Sequence, residues 1–506
     1  MPKIHYAMLY IAIGTSMKKI SYNVPKEVSR VTETLRSAGF EAYFVGGCVR
    51  DILQGIKPKD WDATTNATPE QIQALFEDSF YENDYGTVGI VNETEDETLK
   101  VVEVTPYRTE GSYTDKRRPD SVSFHGKLED DLKRRDFTIN AIAYDESKGH
   151  LTDVFDGLKD IKDKVLRTVG NPRERFNEDA LRVLRAVRLA TDLGFTIEIE
   201  TQNAIIEKAS DLAHISRERI RDEFTKMIMT KNPMVGIVMC QKFGLLKYIA
   251  PDIERGIGIE QNGDHIYTVW EHNLRALQHS ADREWPLHVR LAALFHDVSK
   301  PETRRWSNEK NDWTFYGHDV VGGRVSRKTL EHLKYPKKIV DVVSALVRYH
   351  LFFSDIEKIT LSAVRRIIKN VGPDNVWDLM KVRACDRIGM GRPKEAPYRL
   401  RKYESMIDEA MRAPVSVGML KIDGQKIMEV TRETPGPKLG FILHALLEEV
   451  LDDPERNTEE FLVKRTLELA KLPIDELKKL GEEGKEKKEE AEEAELAVIR
   501  KKHGVK

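Results

Sequence analysis

Apolar residues recur at helical spacing over residues 25–37 (Pro-Lys-Glu-Val-Ser-Arg-Val-Thr-Glu-Thr-Leu-Arg-Ser), predicting an amphipathic helix with Pro25 near its start and Gly39 at its end. The period then changes. Ala42-Tyr-Phe-Val45 is a short apolar run that predicts a buried strand leading into Gly46-Gly47, and Asp51-Ile-Leu predicts a helix stopped by Gly55 and Pro58. Asp60–Thr65, Thr87–Val91 and Lys100–Thr105 predict further strands. Thr68-Pro69 opens another helix, with Thr68 as cap. Strands and helices mix without a regular βαβ repeat, so the first ~150 residues predict an α+β fold. From Asn171 helical periodicity dominates to about residue 470, most plainly over Ala180–Ala190 before Gly194. Pro251, Gly256, Gly258 and Gly263 mark an expected hinge. Residues 475–506 are dense in Glu and Lys and predict a solvated single helix or a disordered tail.

Composition narrows the class. A chain of 506 residues is expected to form three or four domains. With 33% charged and 40% hydrophobic residues it has the balance of a core-forming, water-facing protein. Lys and Arg number 81 against 84 Asp and Glu, so any polyanion must be met by local basic clusters rather than by bulk charge. Cys48, Cys240 and Cys385 lie too far apart for a zinc pattern or a disulfide framework, which points to a reducing, cytoplasmic setting. No apolar run is long enough for a membrane span. The short patch Met8–Gly14 has no small-residue cleavage site and reads as a strand, or as an extension upstream of Met17.

Asp60 and Asp62 are two residues apart. On a strand such residues point to one side, so both carboxylates can face one hard cation such as Mg2+. The pattern is common and weak alone. Its surroundings sharpen it. Gly46-Gly47 follows a buried strand and opens a helix, letting backbone N–H groups approach a phosphate, and Arg50 lies one turn on with a guanidinium fork.

Val45-Gly-Gly-Cys-Val-Arg-Asp51 followed by Asp60-Trp-Asp62 resembles the signature of bacterial-type (class II) tRNA nucleotidyltransferases, which comprise CCA-adding enzymes and related poly(A) polymerases. Arg134-Arg-Asp-Phe-Thr-Ile-Asn-Ala-Ile-Ala143 resembles that family's ribose-handling motif, and Glu178-Asp-Ala-Leu-Arg182 its base-reading motif. The resemblance covers roughly residues 25–250. It implies a polymerase-β-like head, two Mg2+ ions on Asp60 and Asp62, and Glu103 as a third carboxylate; an exposed strand glutamate is the plainer reading of Glu103. It also implies that Gly46, Gly47, Arg50, Arg135, Asp136 and Asn140 hold the ribose and triphosphate, although Asp136 could equally cap a helix starting near Phe137. Asp179 and Arg182, at helical i,i+3 spacing, would read the base edge, with Arg185 and Arg188 continuing the stripe toward phosphate. The polar stretch Thr109–Pro119 resembles the loop that switches the site between nucleotides.

A second series, His272, His296-Asp297 and Asp386, suits a divalent transition metal, with His318 and His350 as further candidates. It resembles an HD-domain phosphohydrolase module, with Ser299 where the usual small glycine stands. Leu420–Lys426 and Pro435–Gly440 resemble the tRNA-contacting C-terminal end of HD-bearing members. Lys116–Arg118, Lys133–Arg135, Arg217, Arg219 and Arg221 are candidate phosphate contacts.

The expected organisation is a head over 22–150, a helical neck over 151–262, an HD domain over 263–395, a helical tRNA-contacting region over 396–473 and a charged tail over 474–506. The expected activity is CCA addition to tRNA from CTP and ATP, with neither a membrane nor DNA as partner. A-adding, CC-adding, poly(A)-forming and chiefly hydrolytic relatives are the alternatives.

Overall fold

The computed structural model describes residues 22–81, 86–110, 122–124, 126–263, 265–351, 359–412 and 417–505. Most of the expected switching loop, and with it Lys116–Arg118, lies outside the described residues. The chain divides into two compact units. One runs to Arg348 and includes Gly389–Gly391; the other holds Tyr349–Ile388 and the residues from Arg392 onward. The hinge expected near residue 263 therefore falls inside the first unit.

The first unit begins with a seven-stranded sheet. Its strands are β1 (Ala42–Val45), β2 (Trp61–Thr65), β3 (Ser79–Tyr81), β4 (Val88–Val91), β5 (Val101–Pro106), β6 (Ile142–Asp145) and β7 (His150–Asp153), in the order β3-β4-β5-β2-β1-β6-β7. Only β2 and β5 pair in parallel; every other neighbour is antiparallel. Alternation fixes the faces: Val102 and Val104 of β5 are buried, which turns Val101, Glu103 and Thr105 to the opposite side. The helix Lys26–Ser37 buries Val28, Val31 and Leu35, at the i, i+3, i+7 spacing of one helical face.

Helices follow. Arg182–Leu193 buries Val183, Leu184, Ala186, Val187, Leu189 and Ala190 and packs on Arg217–Ile228. Val269–Asp282 packs on Leu287–Phe295, whose residues from Val289 onward are all buried. Arg290 lies within this packing because its guanidinium donates to the carbonyls of Trp285, Ile228 and Thr230.

In the second unit the charged tail takes the single-helix form expected, but it does not stand alone. It is one helix, Ile474–Lys502, and it packs along Pro437–Asp452 instead of standing in solvent. Leu477 is fully buried there and Leu480 packs against the same core. Two glycines permit the approach: a Cβ at Gly481 would lie 2.8 Å from Phe441 Cα, and one at Gly484 would lie 2.3 Å from the His444 carbonyl oxygen. The chain end is fastened as well. Arg401 donates to the carbonyls of His503 and Gly504, and His503 Nε2 lies 2.8 Å from Asp408 Oδ2.

Candidate active site and metal cluster

The first site forms where β1, β2 and β5 lie side by side. β1 hands the chain to Gly46, whose φ of +80° is the left-handed region open to glycine. A Cβ there would lie 2.9 Å from Asp62 Oδ2 and 3.3 Å from Arg135 Nη1, so the bare backbone is what lets these groups come close. The helix then starts at once, at Gly47, as a glycine pair that opens a helix implies, and runs to Leu53.

Asp62 pairs in register with Val45 on one side and with Glu103 on the other. Residues in register on neighbouring parallel strands share a face, so Glu103 stands beside Asp62. Asp60 is placed differently from the sequence reading. β2 begins at Trp61, and Asp60 occupies an exposed bend just before it. Its charge still reaches Asp62: burial first, and Asp60 second among the groups that push the same way, raise the Asp62 carboxyl above the usual range, against Arg135, Arg185 and Arg50. A partly buried carboxyl with a like charge before it and a third carboxylate beside it is an arrangement of hard oxygen donors that suits Mg2+.

The expected ribose and phosphate residues do come together. Arg50 Nη1 donates to Asn140 Oδ1 at 3.0 Å while its Nε and Nη2 grip Asp51. Asn140 Nδ2 donates to Asp136 Oδ1 at 3.4 Å, and Arg185 Nε donates to Asp136 Oδ2 at 2.5 Å. Asp136 also accepts from the Phe137 N–H at 2.8 Å, so it ties down its own backbone as well as the arginine; the 3-10 turn begins later, at Thr138. Burial opposes the Asp136 charge, but Arg185 and Arg182 prevail and hold it down to about 2. A depressed carboxyl adds stability that is complete above the ordinary aspartate range and is lost as pH falls through the folded value. The stability gap between the protein and Asp136→Asn is thus expected to be flat above ~pH 5 and to close on acidification toward pH 2. Urea titrations at stepped pH check this, and a gap that widened in acid would contradict it.

The base-reading pair requires a correction. Asp179 and Arg182 do not share one helix. Asp179 ends the helix Pro172–Glu178 in extended conformation, and the next helix starts at Arg182. The Asp179 carboxylate accepts from the Leu181 N–H at 3.1 Å and is held in bidentate fashion by Arg219, at 2.7 and 3.2 Å. Arg182 pairs with Glu178 and donates to the Arg175 carbonyl. Arg188 has a partner that sequence reading did not name: Glu223, a buried acid, accepts from its Nε at 2.5 Å. Glu223 and Arg219 lie one turn apart on Arg217–Ile228. Asp131, fully buried, pairs with both Arg134 and Arg135. Sequence reading missed Asp131 and Glu223 and gave Arg219 only a phosphate role. The run of acids before Arg134-Arg135 was the one local signal; the other partners come from 35 to 40 positions away.

The second site lies within the first unit. His272 sits on Val269–Asp282, His296-Asp297 follow Leu287–Phe295, and His318 opens His318–His332. His296 Nδ1 faces the Ala293 carbonyl at 2.8 Å and His318 Nδ1 the Phe315 carbonyl at 2.6 Å. Donation from Nδ1 leaves Nε2 as an acceptor turned inward. The Asp297 carboxylate has His272 Nε2 at 3.0 Å, His318 Nε2 at 3.1 Å and His296 Nε2 at 3.5 Å, while His272 Nε2 and His296 Nε2 are 2.7 Å apart. Two imidazole nitrogens this close share either a proton or a cation, and the donor set of nitrogen and carboxylate suits a divalent transition metal.

Two residues here were not foreseen. Lys300 Nζ lies 2.6 Å from Asp297 Oδ2 and donates to Gln261 Oε1 at 2.6 Å. His265 is pushed down to about 4, by burial first and then by the charges of Lys300 and His272. Burial opposes the Asp297 charge, but Lys300 and the imidazoles hold its carboxyl well below the usual range. His350 and Asp386 belong to the second unit, where Asp386 pairs with Arg383 on the helix Val376–Gly389.

Comparison with known proteins bears on both sites. The CCA-adding enzyme of Lactobacillus delbrueckii subsp. bulgaricus is 33% identical over 431 residues, 85% of this chain and 94% of that protein. The chain belongs to the CCA-adding enzyme family. Within it, residues 42–167 match the poly(A) polymerase head domain, 194–257 a probable RNA- and SrmB-binding site of polymerase A, and 263–396 the HD domain. The CCA-adding enzyme of Ligilactobacillus salivarius is 46% identical over 230 residues, 45% of this chain; the match spans 55% of that relative's length. Among solved structures, a Bacillus stearothermophilus CCA-adding enzyme in complex with CTP aligns with a TM-score of 0.59 at 27% identity, over 88% of this chain and 98% of that one. No helix among the described residues is long and apolar enough to cross a membrane.

Proposed function

We propose that this chain is a template-independent tRNA nucleotidyltransferase that builds or repairs the 3′-terminal CCA from CTP and ATP, releasing pyrophosphate. The observation that carries this reading is the register of Asp62 with Glu103 beside Gly46, with Arg50, Asn140, Asp136 and Arg185 linked behind it. Asp60, Asp62 and Glu103 would hold Mg2+. Bound there, Mg2+ supplies charge neutralisation for the triphosphate and acidifies the attacking 3′-hydroxyl. The protein's own groups do the rest. Arg50 and Arg135 offset phosphate charge. Asp136 and Asn140 offer hydrogen-bonding groups to the ribose. Asp179, oriented by Arg219, and Arg182, oriented by Glu178, present acceptors and donors to the base edge. Such positioning lets one pocket select C or A without a nucleic-acid template. We infer a cytoplasmic setting for the reaction, which the three free cysteines suit.

Purified protein given tRNA lacking CCA is expected to incorporate CTP twice and ATP once and then stop. With tRNA ending in CC it is expected to add a single A. ATP incorporation without CTP incorporation would assign an A-adding enzyme, arrest after CC a CC-adding enzyme, and open-ended ATP tailing a poly(A) polymerase.

We further propose that His272, His296 and Asp297 hold a divalent transition metal in the HD domain. Protein purified with Mn2+ or Ni2+ present is expected to retain about one equivalent after gel filtration, and Asp297→Asn to lose most of it. Metal analysis giving equal content in the two proteins would remove the assignment.

A further inference from the structure

Between Lys300 and His318 the chain forms a small hairpin, Arg305–Ser307 paired with Asp312–Thr314. Its surface is unusual for its size. Trp306 is 50% exposed and Tyr316, just beyond the hairpin, is 74% exposed. Large rings left this open gain little from folding, and rings beside cations are a recurring surface for unpaired nucleobases. Here the rings are already arranged. Trp306 meets Trp313 edge-to-face at 5.3 Å. The Arg304 guanidinium covers Trp313 at 3.8 Å. Lys310 Nζ donates to the Tyr316 hydroxyl at 2.7 Å and lies 5.3 Å from the centre of that ring. Of the acids nearby, Asp312 is spent on the N–H groups of Gly263 and Trp313, and Glu302 lies 3.5 Å from Arg255. Glu309 remains at the turn beside Lys310.

The hairpin is also joined to the HD cluster. Asn262 donates to the Trp313 carbonyl, and His265 Nδ1 faces the Asn262 carbonyl at 3.0 Å. Phe315, next to Tyr316, lies under Lys300 and orients His318 through its carbonyl.

We propose that Trp306 and Tyr316, with Arg304 and Lys310, form a stacking platform for unpaired bases of RNA, held at the edge of the HD cluster. The alignment of such a strand toward the cluster rests on the HD reading above; the stacking itself does not.

The test uses the full chain and two fluorescein-labelled probes followed by anisotropy at one salt concentration: a hexa-adenylate, and a ribose-phosphate hexamer of equal charge without bases. Loss of one stacked base corresponds to roughly 5- to 150-fold in affinity. The double variant Trp306→Ala, Tyr316→Ala is expected to bind hexa-adenylate about tenfold more weakly or worse, with the abasic probe unchanged. Trp306→Phe with Tyr316→Phe is expected to keep most of the affinity. If the double variant is unfolded, Tyr316→Ala alone serves, because that side chain carries little of the fold. A hexamer bearing 4-thiouridine is expected to crosslink to the peptide containing Trp306 or Tyr316. Asp297→Asn separates the two readings: it removes metal from the cluster and leaves hexa-adenylate binding in place. Unchanged binding by the double variant, equal weakening of both probes, or crosslinks confined to other peptides would overturn the platform. So would sedimentation showing that these rings instead join two copies of the chain.

Discussion

Asp62→Asn is expected to lower CTP and ATP incorporation into tRNA on the order of 10³-fold or more, since interactions of several kcal/mol with developing charge are lost at roughly a factor of ten per 1.4 kcal/mol. Asp60→Ala is expected to match it, and Glu103→Gln to cost less, because the amide keeps an oxygen donor beside Asp62. The fold is expected to survive. Burial and the Asp60 charge raise the Asp62 carboxyl, so its ionised form opposes folding above that raised value and ceases to do so as pH falls through it. Without divalent ions, Asp62→Asn is therefore expected to melt at the same temperature as the parent or higher, the pattern of a site kept for activity at some cost in stability. Single-turnover incorporation and a thermal melt in EDTA measure the two halves. Full activity in Asp62→Asn would remove the carboxylate assignment altogether.

The second large effect is far from this chemistry. Gly484→Val is expected to destabilise the second unit by about 1–3 kcal/mol or more, as overpacking of a tight contact does. A Cβ at this position would lie 2.3 Å from a backbone carbonyl oxygen, which cannot swing aside as a side-chain end can. Lys485→Ala, on the exposed side, is expected to stay within about 0.5 kcal/mol. Urea unfolding compares them, and equal midpoints would show that the two helices are not in close contact.

The two positions also mark where the sequence was and was not readable. The apolar runs around Asp62 are short and bounded by turn residues, so β1, β2, β4 and β5 could be read from short windows, whereas Glu103 entered only through the resemblance. Asp60 slipped because strand ends are decided by pairing, and β2 pairs only from Trp61. Asp179 and Arg182 looked like one helical face because spacing alone cannot show that Asp179 adopts an extended conformation between two helices. Its true partner, Arg219, is 40 residues away. The attachment of the charged helix was missed for a similar reason. That helix buries little of its own, and its attachment depends on two glycines whose value appears only when the opposing backbone is known. In the HD cluster the histidines were legible as a series, whereas Lys300 and His265 had no spacing that marked them.

The three cysteines have a practical consequence. Cys48 and Cys240 lie in the first unit and Cys385 in the second, and each is free and buried. Burial pushes the Cys48 thiol up to about 12 and raises the other two as well, so none is an effective nucleophile while its surroundings stay closed. Each unit of the molecule thus carries its own chemical clock: the rate at which an alkylating reagent marks a thiol reports how often its surroundings open, and binding of the proposed nucleotide and tRNA is expected to show in which clock slows.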